Sequence, residues 1–239
     1  MAHLLKRLTN LLSDTADVVM PRNCPVCGKS LDRDESYLCR ACRMSVPYTQ
    51  YETIEFNPME QLFAGKVPIE RATGGFFYEK GSPYASILHD LKYRNMPRLG
   101  EWMAAEVARR VMPSGFFEGI DAIVPVPLHR SKLAKRGYNQ SECIARGISQ
   151  VTGIPISLAV DATMAHNTQT HKGAFDRWLN TRGIYAPCER ITRRLHDCHL
   201  LLVDDVVTTG ATLQACAAAL QSIPGLTLSI MTLAVARLE

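Results

Sequence analysis

The chain of 239 residues lacks an apolar run long enough to cross a membrane, because polar residues interrupt its N-terminal apolar stretch. No signal-peptide core or small-residue cleavage site follows Lys6 and Arg7. Internal repeats and low-complexity segments are also absent. These absences argue against a secreted, membrane-spanning or repeat protein, and we expect a cytoplasmic location. The reducing cytoplasm disfavours an interpretation of the eight cysteines as disulfide partners.

A strong excess of charge is missing as well. The net charge of +4 permits contact with nucleic acid but falls short of the basic excess that a dedicated nucleic-acid binder shows. A concentrated run, residues 129–136, holds four cations and no acid. Such a run can hold phosphate groups, or it can be a solvated loop or helix start.

Four of the cysteines form two Cys-x-x-Cys pairs, Cys24 with Cys27 and Cys39 with Cys42. This spacing lets four thiolates meet tetrahedrally on one Zn²⁺, and Gly28 suits the tight turn after the first pair. Redox-active pairs or buried free thiols are the alternatives. Because cysteine fills all four positions, we expect a structural zinc that supplies the folding energy of a segment too short for its own core.

The sequence LLLVDDVVTTGAT at residues 200–212 joins an apolar strand, two carboxylates, a small-residue loop and an Ala-rich helix from about residue 213 to 221. Four aliphatic residues in a row are typical of a strand buried on both faces of a parallel sheet. Open α/β sheets bind ligands at the carboxyl ends of their strands, and backbone N–H groups at a helix start can hold a phosphate. This pattern favours a sugar-phosphate site, and a strand–turn–helix with a capping threonine is the alternative.

Apolar periodicity elsewhere alternates between strands and helices. We predict strands at residues 74–78, 120–127, 155–160 and 228–236, and helices beginning at Tyr84, after Pro97 and at Gln140. Residues 47–68 are typical of a linker with one short helix, and residues 161–182 of a long loop. The alternation predicts an α/β fold with a parallel sheet, preceded by a leading helix, metal module and linker in residues 1–60; residues 61–239 form the main domain.

Several motifs occur in a fixed order: the leading helix, the Cys₄ knuckle, Leu91-Lys92-Tyr93, VPVPL at 124–128, RGYNQS at 136–141, a Thr/Gln-containing loop and residues 203–212. In this order they resemble the ComF/GntX family over nearly the whole chain. That family comprises bacterial phosphoribosyltransferase-like competence proteins linked to DNA uptake in natural transformation. The RGYNQS block most separates it from ordinary nucleotide-salvage enzymes.

The resemblance implies the type I phosphoribosyltransferase fold, a parallel sheet flanked by helices with a small N-terminal zinc knuckle. It implies that Asp204 and Asp205 are the catalytic acids and hold the ribose hydroxyls of 5-phosphoribosyl-1-pyrophosphate (PRPP), with Mg²⁺ as its companion ion. The turn after Pro127 would meet the pyrophosphate, and Arg130 and Lys132 would neutralise the negative charge of the pyrophosphate. The implied substrate-binding residues are Pro127, Leu128, His129, Arg130, Asn139, Gln140, Val206, Val207, Thr208, Thr209, Gly210, Ala211 and Thr212.

Three site assignments keep alternatives. Asn139 and Gln140 either donate to a phosphate or hold the loop, and Asn139 can simply cap the following helix. Residues 167–172, with Arg177 and Asn180, either match a loop that closes over the reacting centre or form a disordered surface loop. Tyr37, Tyr48 and Tyr51 either stack a base or pack.

The resemblance further implies a PRPP-binding protein of DNA uptake that handles single-stranded DNA and meets DNA-uptake proteins. It would transfer ribose 5-phosphate to an acceptor, if it turns over, with release of pyrophosphate. Cations of the metal module, Lys29, Arg33, Arg40 and Arg43, would contact the strand. The alternatives are a housekeeping nucleobase phosphoribosyltransferase and a non-catalytic PRPP sensor or adaptor. Acceptor and oligomeric state are not encoded in any recognisable motif.

Overall fold

The computed structural model describes residues 22–163 and 184–237. Its centre is a four-stranded, all-parallel sheet with the order β1-β6-β5-β2. The strands of the whole structure are β1 Ala72–Tyr78, β2 Ala122–Pro125, β3 Val160–Ala162, β4 Tyr185–Pro187, β5 His199–Val207 and β6 Thr227–Ala236. The α-helices are α1 Arg40–Met44, α2 Pro58–Phe63, α3 Ala85–Tyr93, α4 Pro97–Val111, α5 Arg130–Arg136, α6 Gln140–Thr152, α7 Glu189–Thr192 and α8 Ala211–Leu220. The predicted α/β architecture is confirmed.

The sheet is buried on both faces, which explains its continuous apolar strands. In β5, the four residues from Leu200 to Val203 are fully buried, and their register pairs Val203 with Pro125 of β2 and Met231 of β6. Two groups of buried side chains pack on the two sides of the sheet. Strand β6, predicted from its apolar run, lies between β1 and β5, and β1 is an edge strand as predicted.

Two predicted segments differ from the structure. Residues 155–160, predicted as a strand, form only an isolated bridge between Ile156 and Ile123; the strand β3 begins at Val160 and pairs antiparallel with β4 in a separate two-stranded sheet. Residues 47–68, predicted as a linker with one short helix, contain that helix, α2, and a 3₁₀ turn, but they pack against the core instead of forming a free linker. Met59 and Phe63 of α2 are fully buried in the core, because they are four residues apart and face the sheet together.

The predicted leading helix and residues 167–172, Arg177 and Asn180 lie outside the described residues. The division of the chain at residue 60 stays a prediction. Within the described part of the chain, no helix combines the length and apolar character that crossing a bilayer requires.

Candidate functional site

A cavity of about 270 Å³ opens at the carboxyl ends of β2 and β5, where open parallel sheets bind ligands. Its walls come from α3, the turn after β2, α5, the start of α6, the β3–β4 sheet and the start of α8. The lining residues are Lys92, Val126, Pro127, Leu128, His129, Lys132, Arg136, Asn139, Gln140, Ser141, Ala162, Ile184, Tyr185, Asp204, Asp205, Val206 and Thr212.

The acid pair Asp204 and Asp205 lies at the floor of this cavity, near the end of β5. One carboxylate oxygen of Asp204 accepts hydrogen bonds from the Ser141 hydroxyl at 2.9 Å and from the Asp205 backbone N–H at 2.8 Å. Burial and the neighbouring Asp205 raise the pKa of the Asp204 carboxyl to about 7, against the opposing effect of its hydrogen bonds and of Lys92. The Asp204 carboxyl therefore holds its proton to a higher pH than an exposed aspartate does.

Lys92 reaches into the cavity from the last turn of α3. Its Nζ lies 3.0 Å from Oδ1 of Asp205, and both side chains are largely buried. The ammonium therefore neutralises Asp205, and a ligand that uses this carboxylate must share it with Lys92 or displace Lys92. Sequence reasoning noted Lys92 as part of a motif but gave it no role, since 113 positions separate it from Asp205.

The raised pKa of Asp204 predicts how the free energy of unfolding changes with pH. Because the folded carboxyl has a pKa above its unfolded value near 3.9, the folded state binds more protons between about pH 4 and pH 7. The free energy of unfolding should fall as pH rises through this window. We expect Asp204→Asn to remove that fall and to be more stable than the parent at pH 8 by on the order of 1–3 kcal/mol.

Urea denaturation at pH 5 and pH 8 measures this effect. Asp121→Asn is the matched control, since Asp121 accepts a hydrogen bond from the His199 N–H at the opposite end of β5. A pH profile of Asp204→Asn that parallels the parent would contradict the assignment of the shift to Asp204.

Cations form one wall of the cavity. The side chain of His129 caps α5 by accepting a hydrogen bond from the Ser131 N–H at 3.2 Å, which fixes the start of this short helix. Lys132 and Arg136 then line the cavity one turn apart. Arg130, predicted to meet pyrophosphate, is exposed and is not among the lining residues.

Asn139 and Gln140 have different roles in the structure. Asn139 caps α6 through the Ser141 N–H at 3.1 Å and donates to the Val126 carbonyl at 3.0 Å, so it holds the turn after β2 against α6. Gln140 is 2% exposed and lines the cavity, and its Nε2 has no hydrogen-bond partner among the described residues. A buried donor without a partner is costly, which favours a ligand acceptor there.

The loop from Thr208 to Gly210 leads from β5 into α8. Gly210 has a positive φ of 72°, and an added Cβ would lie 3.0 Å from Leu62 and 3.2 Å from Phe63, so glycine is required there. Thr208 and Thr209 are exposed beside the cavity rather than in its wall. Of the predicted residues 206–212, only Val206 and Thr212 line it, while 207–211 do not.

The β3–β4 sheet covers one side of the cavity through Ala162, Ile184 and Tyr185. Burial raises the pKa of the Tyr185 phenol, and the nearby Cys216 and Asp204 add to this rise, so the phenol is a hydrogen-bond donor at neutral pH. Sequence reasoning missed these residues because the β3–β4 pairing spans a long connection. Ser141 was missed as a contact of Asp204 although it belongs to the RGYNQS block.

The four predicted cysteine ligands come together on one side of the sheet. The Sγ atoms of Cys24, Cys27, Cys39 and Cys42 all lie within 4.8 Å of one another, which suits four thiolates around one metal ion. Burial raises the pKa of the Cys24 thiol, but hydrogen bonds involving Cys39, Cys27 and Val26 outweigh it and bring the pKa down to about 7. Burial and the three neighbouring thiols instead raise the pKa of Cys42. Within the cluster, the thiolate that a metal needs is thus stabilised first at Cys24.

The cysteine module is packed on α3 and α4. The Tyr84 hydroxyl donates to the Cys42 carbonyl at 2.8 Å, and Arg43 forms an ion pair with Glu106 at 2.6 Å. Two of the tyrosines weighed as base-stacking residues are engaged as well: Tyr51 is buried, and the guanidinium of Arg110 lies 4.4 Å from the ring centre of Tyr48.

Several known proteins are similar to this chain in sequence or in structure. No family model matches the chain. The chain is 25% identical over 193 residues to DNA utilization protein YhgH of Salmonella typhimurium and 26% identical over 193 residues to the Escherichia coli K12 protein of that name, with 79% of each chain covered. It is 32% identical over 102 residues to competence protein F of Haemophilus influenzae, across 39% of this chain and 41% of that protein.

One similar solved structure is the glutamine PRPP amidotransferase from B. subtilis complexed with ADP and GMP. The TM-score is 0.34 at 18% sequence identity, covering 57% of this chain and 26% of that chain.

Proposed function

This chain is a ComF/GntX-family protein, and we propose that its cavity binds PRPP together with Mg²⁺ as part of DNA utilization. The observation that carries the proposal is the meeting of opposite charges in one cavity. The cavity of about 270 Å³ holds the acid pair of β5, with Lys92 paired to Asp205, and is also lined by the cations Lys132 and Arg136 of α5. A ribose whose diol meets the acids and whose phosphate groups meet the cations matches this arrangement.

We assign the ends of the ligand by their chemistry. Carboxylates accept hydrogen bonds from hydroxyl groups, so Asp204 and Asp205 receive the ribose diol. The cations Lys132 and Arg136, with the unpartnered Nε2 of Gln140, take the pyrophosphate. The 5′-phosphate is held by the exposed hydroxyls and backbone N–H groups of the loop Thr208–Gly210 at the start of α8.

Mg²⁺ suits the oxygen-rich environment of the acids and of the ligand, and it would neutralise charge on the pyrophosphate. Displacement of pyrophosphate from C1 of the ribose needs orientation and charge neutralisation rather than a protein nucleophile. The chain's own contribution would be to hold the diol on β5 and the leaving group on the α5 wall. Tyr185 of the β3–β4 sheet adds a hydrogen-bond donor beside the acids.

Titration calorimetry with PRPP and Mg²⁺ tests the proposal. We expect the parent protein to bind and the double variant Asp204→Asn/Asp205→Asn to bind at least about tenfold more weakly, because hydrogen bonds to a charged group contribute about 1.5–3 kcal/mol. Asp121→Asn, the same change at the other end of β5, should bind like the parent. Equal affinity in the double variant, or no binding by the parent, would refute the proposal.

For the cysteine cluster we propose zinc with a structural role. Four sulfur ligands leave no open coordination position for a substrate, and tetrahedral thiolate sites favour Zn²⁺. Such a reduced thiolate set suits the cytoplasm.

The biological setting is inferred from the names of the relatives, which concern DNA utilization and competence. We therefore propose single-stranded DNA as the polymer that the protein meets.

A further inference from the structure

The last turn of α3 carries an aromatic side chain whose exposure has no structural explanation. Tyr93 follows Lys92, yet its side chain is 68% exposed while Lys92 is in the cavity. The guanidinium of Arg136 lies 5.5 Å from the centre of the Tyr93 ring, and the His89 ring lies 5.2 Å from it. The phenol is thus a large apolar face at the rim of the cavity, held in place by cationic and aromatic neighbours.

Helix α5 supplies positive charge beside this ring. Helix α5 contains no acid, and three of its cations share one side of the helix. Lys135 and Arg136 follow Lys132 by three and four residues. Among residues 22–163 and 184–237, no carboxylate forms an ion pair with any of the three. The acid of α3, Asp90, is buried and lies 3.4 Å from Arg94. We refer to His89, Tyr93, Lys132, Lys135 and Arg136 as the α3–α5 surface.

The position of this surface is fixed by the fold. The Tyr138 hydroxyl donates to the Leu91 carbonyl and so ties the start of α6 to α3. Because α5 ends at Arg136 and Gly137 turns the chain with a φ of 81°, this bond also fixes the distance between α5 and Tyr93. The surface is continuous with the cavity, since Lys132 and Arg136 belong to both.

The cysteine module offers a poorer surface for a polyanion. Two of its cations are paired with nearby acids: Arg40 lies 3.2 Å from Asp34, and Arg43 lies 2.6 Å from Glu106. The carboxylate of Glu35 is held by the backbone N–H groups of Asp32 and Arg40, so negative charge is fixed on this face. The strand contacts that the sequence suggested for Arg40 and Arg43 are therefore not favoured.

We propose that the α3–α5 surface binds single-stranded nucleic acid, with one unpaired base stacked on Tyr93. The flanking phosphates lie on Lys135 and, while the cavity holds no PRPP, also on Lys132 and Arg136. An exposed aromatic ring can stack with an unpaired base of a single strand. The bases of a duplex are already stacked on one another and are not available to the ring. The inference rests on the proposed function in that the strand would end beside the sugar-phosphate cavity. The rim of the cavity would then be occupied by a single strand of nucleic acid.

Fluorescence anisotropy with a short fluorescein-labelled oligo-dT, without PRPP, tests the surface. We expect Tyr93→Ala to weaken binding about fivefold or more, because stacking of a base on an aromatic ring is lost. Tyr93→Phe keeps the ring and should bind like the parent. Phe56→Ala removes an equally prominent ring, 62% exposed, outside this surface and should have no effect. Alanine is a good helix former, so Tyr93→Ala should fold.

Salt titration supplies a second readout. Lys135→Ala should lower the slope of log affinity against log salt by about 1, while Lys80→Ala, at an exposed turn, should leave it unchanged. Tyr93→Ala binding as the parent does, no oligonucleotide binding by the parent, or equal affinity for a duplex would each overturn the inference. Calorimetry with PRPP is independent of these outcomes, so failure of the strand surface and failure of the sugar-phosphate site are distinguished.

Discussion

Cys39→Ser is expected to abolish binding of the proposed zinc and to unfold residues 22–46, which pack on α4. Cys39 is 3% exposed, its Sγ lies 3.7 Å from that of Cys27, and it accepts the Cys42 N–H at 3.5 Å. Serine keeps the size of the side chain but is a poor zinc ligand. Metal-binding free energy at structural sites is on the order of 10 kcal/mol, more than this short segment can replace by packing. Zinc analysis, thermal melting and limited proteolysis measure the loss.

A strong chelator should reproduce this result with the parent protein. Cys188→Ser is the matched control, because Cys188 lies outside the cluster and its substitution should leave metal content and melting temperature unchanged. If Cys39→Ser keeps one equivalent of zinc and resists proteolysis within residues 22–46, the four-thiolate assignment is wrong. A fully folded, metal-free parent would show that the Tyr84 and Arg43 contacts are sufficient to hold the module.

Gly147→Ala is expected to destabilise the protein by about 3 kcal/mol. Gly147 lies where α6 crosses α4, and a Cβ there would collide with the Glu101 carbonyl oxygen and lie 2.9 Å from Ala104 Cβ and 3.0 Å from Ala105 N. Backbone atoms of a neighbouring helix cannot move aside without separating the two helices. The overlap therefore exceeds the roughly 1 kcal/mol that alanine gains over glycine in a helix. Urea denaturation monitored by circular dichroism measures the change.

Gly100→Ala provides the comparison on the partner helix. A Cβ at Gly100 would meet only the side-chain tip of Leu91, at 2.5 Å from Cδ1 and 3.0 Å from Cδ2, which can rotate away. We expect a smaller loss there than at Gly147. A Gly147→Ala variant as stable as Gly100→Ala would mean that the crossing of α4 and α6 is looser than the structure indicates.

Local pattern predicted the parts of the site that are contiguous in sequence. Residues 200–205 gave the buried strand and its two acids, and the cysteine spacing gave the four sulfur atoms, since each signal depends on neighbours along the chain. The ion pair of Lys92 with Asp205 and the hydrogen bond of Ser141 with Asp204 join distant segments. Such contacts follow from the strand order of the sheet, which local periodicity does not encode.

The two segments that differ from the predictions do so for physical reasons. In residues 47–68, tyrosine, asparagine, proline and glycine suggested a linker with one short helix. The helix is α2, but Asn57 fixes the segment to the core, because it caps α2 through the Met59 and Glu60 N–H groups and donates to the Ala72 carbonyl. One polar side chain thus satisfies both a helix start and strand β1. Near residue 156, the β-branched content was compatible with a strand, but only Ile156 meets a partner on β2.

The antiparallel pairing of β3 with β4 has a consequence for how this protein can diverge. Register pairs Ala162 with Tyr185, so the chain leaves the rim of the cavity at one strand end and returns to it at the other. The entropy cost of closing such a connection grows only with the logarithm of its length. A change in the length of that connection should therefore cost the β3–β4 pairing little free energy, so the two strands can stay beside the acids while the chain between them varies in length.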